Sequence, residues 1–225
     1  MEHREPPGAL LFGSISTIAD TSELQREAFN EAFAQHGLDW TWDREDYRAM
    51  LASSGGKDRI ASYAADRGDD VDAEAVHATK SEIFRRRLTE NPPPLRDGVA
   101  DTLVNAKEHG MRLALVTTTS PENVRALLDA ASAEMDAVLF DLVVDSGDVS
   151  APKPDGAAYR YALDQLDVSA QRAVAVEDNV GGVHAAADAG VRCLAFPNAN
   201  TAGHDFSGAD RVVDSVDFAA VAARS

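Results

Sequence analysis

Four short segments of this chain carry side chains suited to chemistry on an anion. They are Gly13-Ser14-Ile15-Ser16-Thr17, Thr117-Thr118-Thr119-Ser120, Ser150-Ala151-Pro152-Lys153-Pro154 and Glu177-Asp178-Asn179. Hydroxyls, backbone N–H groups at a helix start and one ammonium group together make a phosphate pocket. Adjacent carboxylates at a strand end are suited to holding a magnesium ion. Each segment alone has a plainer reading. Thr119, Ser120 and Asp178 stand where helix caps stand, and a lysine between prolines is commonly a solvated loop residue. The order and spacing of all four together are what point to a site.

The elements around these segments place them at the same end of a sheet. Ala9–Phe12 is a short apolar run that reads as a buried strand, and 112–116, 138–144, 173–176, 191–196 and 211–213 read as further strands. Between them, 98–109, 121–131, 155–166, 180–189 and 215–223 read as helices. Strands alternating with helices predict a parallel sheet covered on both faces, an α/β doubly wound fold. Residues 40–90 hold no convincing strand. Helices are predicted over 21–36, 43–51, 57–67 and 72–89, ending at the hard break Asn91-Pro92-Pro93-Pro94. The expected organisation is a core of residues 1–19 and 94–225, interrupted by a helical cap of residues 20–93. Open parallel sheets bind ligands beyond the carboxyl ends of their strands, and each of the four segments follows a predicted strand or lies in such a connection.

Composition narrows the ligand. The 225 residues are 44% hydrophobic and 26% charged, an ordinary globular mixture. The formal net charge of −17 repels nucleic acid and anionic membranes. It also repels anionic substrates, so a phosphate site must be made by local donors. The single cysteine, Cys193, excludes an internal disulfide and sits in an apolar run as a small buried residue. No stretch is long and apolar enough to span a bilayer, and the opening residues lack signal-peptide character. A soluble, cytoplasmic protein is expected.

The order of segments resembles the haloacid dehalogenase (HAD) superfamily of phosphatases over nearly the whole chain. Strand 9–13 followed by Ile18-Ala19-Asp20-Thr21 is similar to the family's first motif, and Ala114–Thr118 to the second. Lys153-Pro154 with Tyr159 is similar to the third, and Val174–Asn179 with Gly181-Gly182-Val183 to the fourth. The helical insertion resembles the cap of the beta-phosphoglucomutase-like branch. Within it, Glu27–Phe33, Gly37–Trp40, Gly55–Ile60 and Asp205–Asp210 are similar to CbbY-type proteins, sugar bisphosphate phosphatases associated with Calvin-cycle carbon fixation. The resemblance implies phosphate binding by Thr117, Thr118 and Lys153. It implies contact with a distal substrate phosphate by Lys57 and Arg59, for which a solvated helix face is the alternative reading. It implies Mg2+ held by Glu177, Asp178 and the backbone carbonyl of Ile15.

The chain departs from this pattern where the chemistry is done. The family's first motif is Phe-Asp-x-Asp-Gly-Thr, whose first aspartate is the nucleophile and whose second is the general acid and base. Here Gly13 stands at the nucleophile position, Ile15 at the acid/base position, and Ser16 replaces the motif glycine. Glycine cannot form a covalent intermediate, and isoleucine cannot move a proton. Magnesium is expected to bind weakly, or only together with a phosphate ligand. The expected function is binding of a phosphorylated small molecule, such as a sugar phosphate, or of an inorganic anion, with little or no phosphatase activity. The alternative is an active metal-dependent phosphoric monoester hydrolase with displaced groups, using Asp20, Glu177 or Asp178 as a base. Ser14 and Ser16 are poor substitute nucleophiles because no histidine stands near them in sequence. Restoring aspartate at positions 13 and 15 is expected to recover some hydrolysis.

Overall fold

The computed structural model describes residues 7–51, 55–132, 134 and 140–223. Its six strands are β1 (Ala9–Phe12), β2 (Arg112–Val116), β3 (Leu142–Val144), β4 (Ala173–Glu177), β5 (Arg192–Ala195) and β6 (Arg211–Val212). They pair in parallel in the order β3-β2-β1-β4-β5-β6. The order reverses direction at β1, between β2 and β4, which is where a doubly wound sheet opens its crevice. The start of the strand predicted over 138–144 falls on residues outside the described ones.

Side-chain size along the strands sorts the helices between the two faces. Leu10, Phe12, Leu113, Leu115, Val174, Val176 and Leu194 face one cluster of buried residues. Their neighbours Ala9, Leu11, Ala114, Val116, Ala173, Ala175, Cys193 and Ala195 face the other. This is the period-two alternation of a pleated strand. The face rich in alanine takes the close-packing helices α8 (Ala157–Leu166) and α9 (Val180–Asp188). The bulkier face takes α6 (Val99–Glu108), α7 (Pro121–Ala131) and α10 (Phe218–Ala222).

Between β1 and α6 lie a single turn, α1 (Ile15–Ile18), and four helices: α2 (Ser22–Gln35), α3 (Arg44–Met50), α4 (Gly56–Arg67) and α5 (Ala73–Glu90). The turn α1 lies outside the helices predicted from sequence, the first of which starts at 21. The four helices gather around Phe29, Phe33, Trp40, Trp42, Tyr47 and Tyr63, whose rings meet at centroid distances of 4.6 to 6.3 Å. Aromatic pairs at such separations favour tilted and edge-on geometries. The chain enters and leaves this block at one place, where Ala19 bridges Leu95 and the Arg96 N–H donates to the Ile18 carbonyl at 2.9 Å. Arg96 also fixes this junction from its side chain. Its guanidinium donates to the carbonyls of Ser16 (3.1 Å), Phe196 (2.8 Å) and Pro197 (2.5 Å) and lies over the Phe196 ring.

Candidate functional site

The carboxyl ends of β1, β2 and β4 meet around one ammonium group. Gly13 directly follows β1, and its N–H donates to the Val176 carbonyl of β4 at 2.8 Å. Lys153, on the loop before α8, is buried and reaches across the sheet ends. Its Nζ donates to the carbonyls of Gly13 and, at 2.8 Å, Val116, and to Glu177 Oε1 at 2.6 Å. Tyr159, one turn into α8, donates its hydroxyl to the same Glu177 oxygen at 2.7 Å.

Glu177 is fully buried. Burial pushes its carboxyl above the ordinary range, Lys153 pulls it back, and Asp178 pushes it up again. Burial, with Glu177 alongside, also drives the Tyr159 phenol far up, so it remains a donor. The Glu177 carboxylate fits because two of its neighbours lack side chains. A Cβ built on Gly13 would fall inside van der Waals contact of Glu177 Oε1 and the Tyr159 hydroxyl, and one on Gly182 inside contact of the Glu177 carboxylate. Among the described residues the other oxygen, Oε2, has no hydrogen-bond partner.

Asp178 is engaged differently. Its Oδ1 accepts from Ser14 Oγ at 2.7 Å and Asn179 Nδ2 at 2.9 Å, and its Oδ2 from Asn198 Nδ2 at 2.6 Å. Thr201 donates its hydroxyl to the Asp178 carbonyl at 2.6 Å. Thr117 is buried, its N–H on the Val144 carbonyl at 2.9 Å and its hydroxyl oxygen accepting from the Thr119 N–H at 3.2 Å. Thr118 is half-buried beside it. Ile15 is buried in α1, and its carbonyl accepts from the Ala19 N–H at 3.3 Å.

The sheet therefore brings together Gly13, Thr117, Lys153, Glu177 and Asp178. Lys57 and Arg59 stand apart on α4. Lys57 is exposed, whereas Arg59 is buried, its Nε donating to the Met50 carbonyl at 3.2 Å and its guanidinium 5.7 Å from the Tyr47 ring centre. Burial pushes the Tyr47 hydroxyl up to about 12.

A family model for haloacid dehalogenase-like hydrolases matches residues 9–190. The chain belongs to this family. It is 43% identical over 210 residues to protein CbbY of Cereibacter sphaeroides, covering 92% of this chain and 91% of that one. A crystal structure of CbbY from Rhodobacter sphaeroides in complex with phosphate has the same fold, with TM-score 0.86 at 43% identity over 93% of this chain and 94% of that one. A mutant of that protein, in complex with xylulose-(1,5)bisphosphate, matches with the same TM-score, 0.86.

HAD phosphatases hold magnesium near their first and fourth motifs, and the corresponding residues here do not fit the ion. Position 13 offers no carboxylate. Glu177 turns its Oε1 to Lys153 and Tyr159, and both Asp178 oxygens accept from neutral donors. Among the described residues, no three His, Cys, Asp or Glu side chains gather in a way that could hold a metal. Magnesium asks for near-octahedral oxygens with free lone pairs. Donors occupy Glu177 Oε1 and both Asp178 carboxylate oxygens, which leaves the single buried Oε2 of Glu177, too few for the ion.

Three residues of the site were not singled out from sequence. Asn198 and Thr201 lie on the loop after β5 and hold Asp178, and Arg96 ties that loop to the first motif. The available signal was position: Phe196-Pro197-Asn198-Ala199-Asn200-Thr201 follows the carboxyl end of a strand, like the four segments that were chosen.

Proposed function

We propose that this chain is a catalytically disabled relative of the CbbY-type sugar phosphate phosphatases, which binds a phosphorylated small molecule and does not turn it over. Residues 20–93 act as a cap over the core of 1–19 and 94–225. The ligand's phosphoryl group lies at Thr117, Thr118 and Lys153, and the cap residues Lys57 and Arg59 face its distal part. The ligand class follows the phosphate and the xylulose bisphosphate held by the crystallised CbbY proteins.

One observation carries the reading: the space beyond the end of β1, where a nucleophile would project, is filled by Glu177 and Tyr159. No side chain at position 13 can attack phosphorus, and none at 15 can protonate a leaving alkoxide. Loss of a nucleophile removes several orders of magnitude in rate, and losing its partner as well adds little because the two act as a unit. What this site can still do is bind and orient.

The rival reading, a working hydrolase with displaced groups, needs a carboxylate free to act as a base, and at this site only the buried Oε2 of Glu177 lacks a partner among the described residues. Asp20 Oδ1 accepts from the Ser22 N–H and hydroxyl, and its Oδ2 from the Ala199 N–H at 3.2 Å. It holds Ser22, the first residue of α2, and ties it to the loop after β5. Glu177 and Asp178 are engaged as described. The deciding experiment is a phosphatase assay with purified protein against xylulose-1,5-bisphosphate and an aryl phosphate, with and without magnesium. Turnover at background rate is expected. Robust hydrolysis that copurifies with the protein would overturn the proposal.

A further inference from the structure

We propose that Glu177 is an internal competitor for Lys153, so that the strand-end pocket is held closed by the chain's own carboxylate until an anion displaces it. The inference deepens the phosphate-binding reading and rests on it. A lysine ammonium has three N–H donors. Those of Lys153 point at the carbonyls of Gly13 and Val116 and at Glu177 Oε1. The two carbonyls belong to the sheet frame and stay. The carboxylate hangs on rotatable bonds, so it is the acceptor that can be exchanged.

The surroundings of Glu177 match that role. Its Oε1 is held by Lys153 and Tyr159, while its Oε2 is buried without a partner. Its place exists only because positions 13 and 182 are glycine. A phosphate arriving with Glu177 in place would set two anions against one lysine, which like-charge repulsion at low dielectric opposes. In the relatives a carboxylate is expected at position 13. Here Lys153 keeps a buried negative partner, supplied from the fourth motif. A buried cation left without one is costly, which gives the exchange of partners a physical reason.

The test is inorganic phosphate binding, measured by isothermal titration calorimetry on the wild type, Glu177→Gln, Tyr159→Phe and Lys153→Met. Glu177→Gln keeps the shape and removes the charge, and is expected to bind phosphate at least tenfold more tightly. Tyr159→Phe removes one of the two bonds on Oε1 and is expected to shift affinity the same way by a smaller factor. It decides the matter on the same criteria if Glu177→Gln melts without a cooperative transition. Lys153→Met is expected to abolish binding. If the wild type binds through Lys153 and neither variant binds more tightly, the competition is wrong while the phosphate reading stands. If the wild type is silent and Glu177→Gln binds, the competition is right and the unmodified chain is not a phosphate receptor. Silence in every variant overturns both.

Discussion

The carboxylate of Glu177 occupies the space that a side chain on Gly13 would need. Gly13 directly follows β1 and Glu177 ends the adjacent parallel strand β4, so a side chain at position 13 requires the Glu177 carboxylate to shift. The space beside Gly13 is therefore occupied: Lys153 is paired with Glu177, and Tyr159 holds the same carboxylate oxygen in place.

This relationship changes the expected result of restoring the first motif. Even Gly13→Ala places a Cβ against the Glu177 carboxylate and the Tyr159 hydroxyl, an overpacking that costs about 1–3 kcal/mol. Gly13→Asp with Ile15→Asp is expected to lower stability in the same way. It is expected to recover hydrolysis only to the extent that Glu177 leaves Lys153. Urea denaturation of the single and double variants, beside aryl phosphate hydrolysis, checks both parts.

Lys80, on α5, is a buried cation set between the rings of Phe29 (4.7 Å) and Phe84 (5.1 Å), donating to the neutral Gln25 Oε1 at 3.0 Å. Burial lowers its pKa from 10.5 to about 7, and nearby Arg59 adds to the effect. Between those values the unfolded chain binds more protons than the folded one, so stability rises with pH across that window. Lys80→Met is expected to flatten this slope and to stabilise the protein at pH 7 by about 1–3 kcal/mol. Chemical denaturation at several pH values from 6 to 10 measures the slope directly. A destabilised variant would contradict the expectation.

Glu23, on α2, has the opposite sign. Burial pushes it up, but hydrogen bonds from Arg44, Asn200 and Arg26 hold it down, from 4.5 to about 2. Its contribution to stability is complete above pH 4.5 and is lost as pH falls toward 2, because there the unfolded chain takes up the proton first. Glu23→Gln should cost about 1 kcal/mol at pH 7 and make the acid limb of the stability profile shallower. An unchanged acid limb would mean the carboxylate is not held as described.

Arg96 ties three carbonyls together at the junction of the inserted helices and the core. Arg96→Ala leaves them without a charged donor and removes the stack on Phe196, for an expected loss of about 2–4 kcal/mol. Arg96→Lys should recover less than half of that loss, since a single ammonium does not reproduce a planar fork. Thermal melts of the two variants provide the comparison.

Some of this molecule was legible before any coordinates. The alternation of strands and helices gave the parallel sheet, because period-two and period-3.6 patterns are local properties of the chain. The proline run at 92–94 marked the end of the inserted helices, because proline removes a backbone donor. The gathering of Gly13, Thr117, Lys153, Glu177 and Asp178 followed from one topological rule, that parallel strands deliver their carboxyl ends to one edge. Local boundaries suffered most: the turn at Ile15–Ile18 lies outside any predicted helix, and the last helix is shorter than the 215–223 predicted for it.

By itself the sequence determined which chemical groups stand at the strand ends and that two carboxylates expected of a phosphatase are absent, since residue identity needs no geometry. The tertiary structure decided what the remaining groups do. Whether Lys153 donates to a ligand or to Glu177, and whether Asp178 offers its lone pairs to a cation or to Ser14 and Asn198, depends on contacts between residues 20 to 164 positions apart. Such contacts are set by packing, and a Cβ at position 13 would meet the Glu177 carboxylate that now pairs with Lys153.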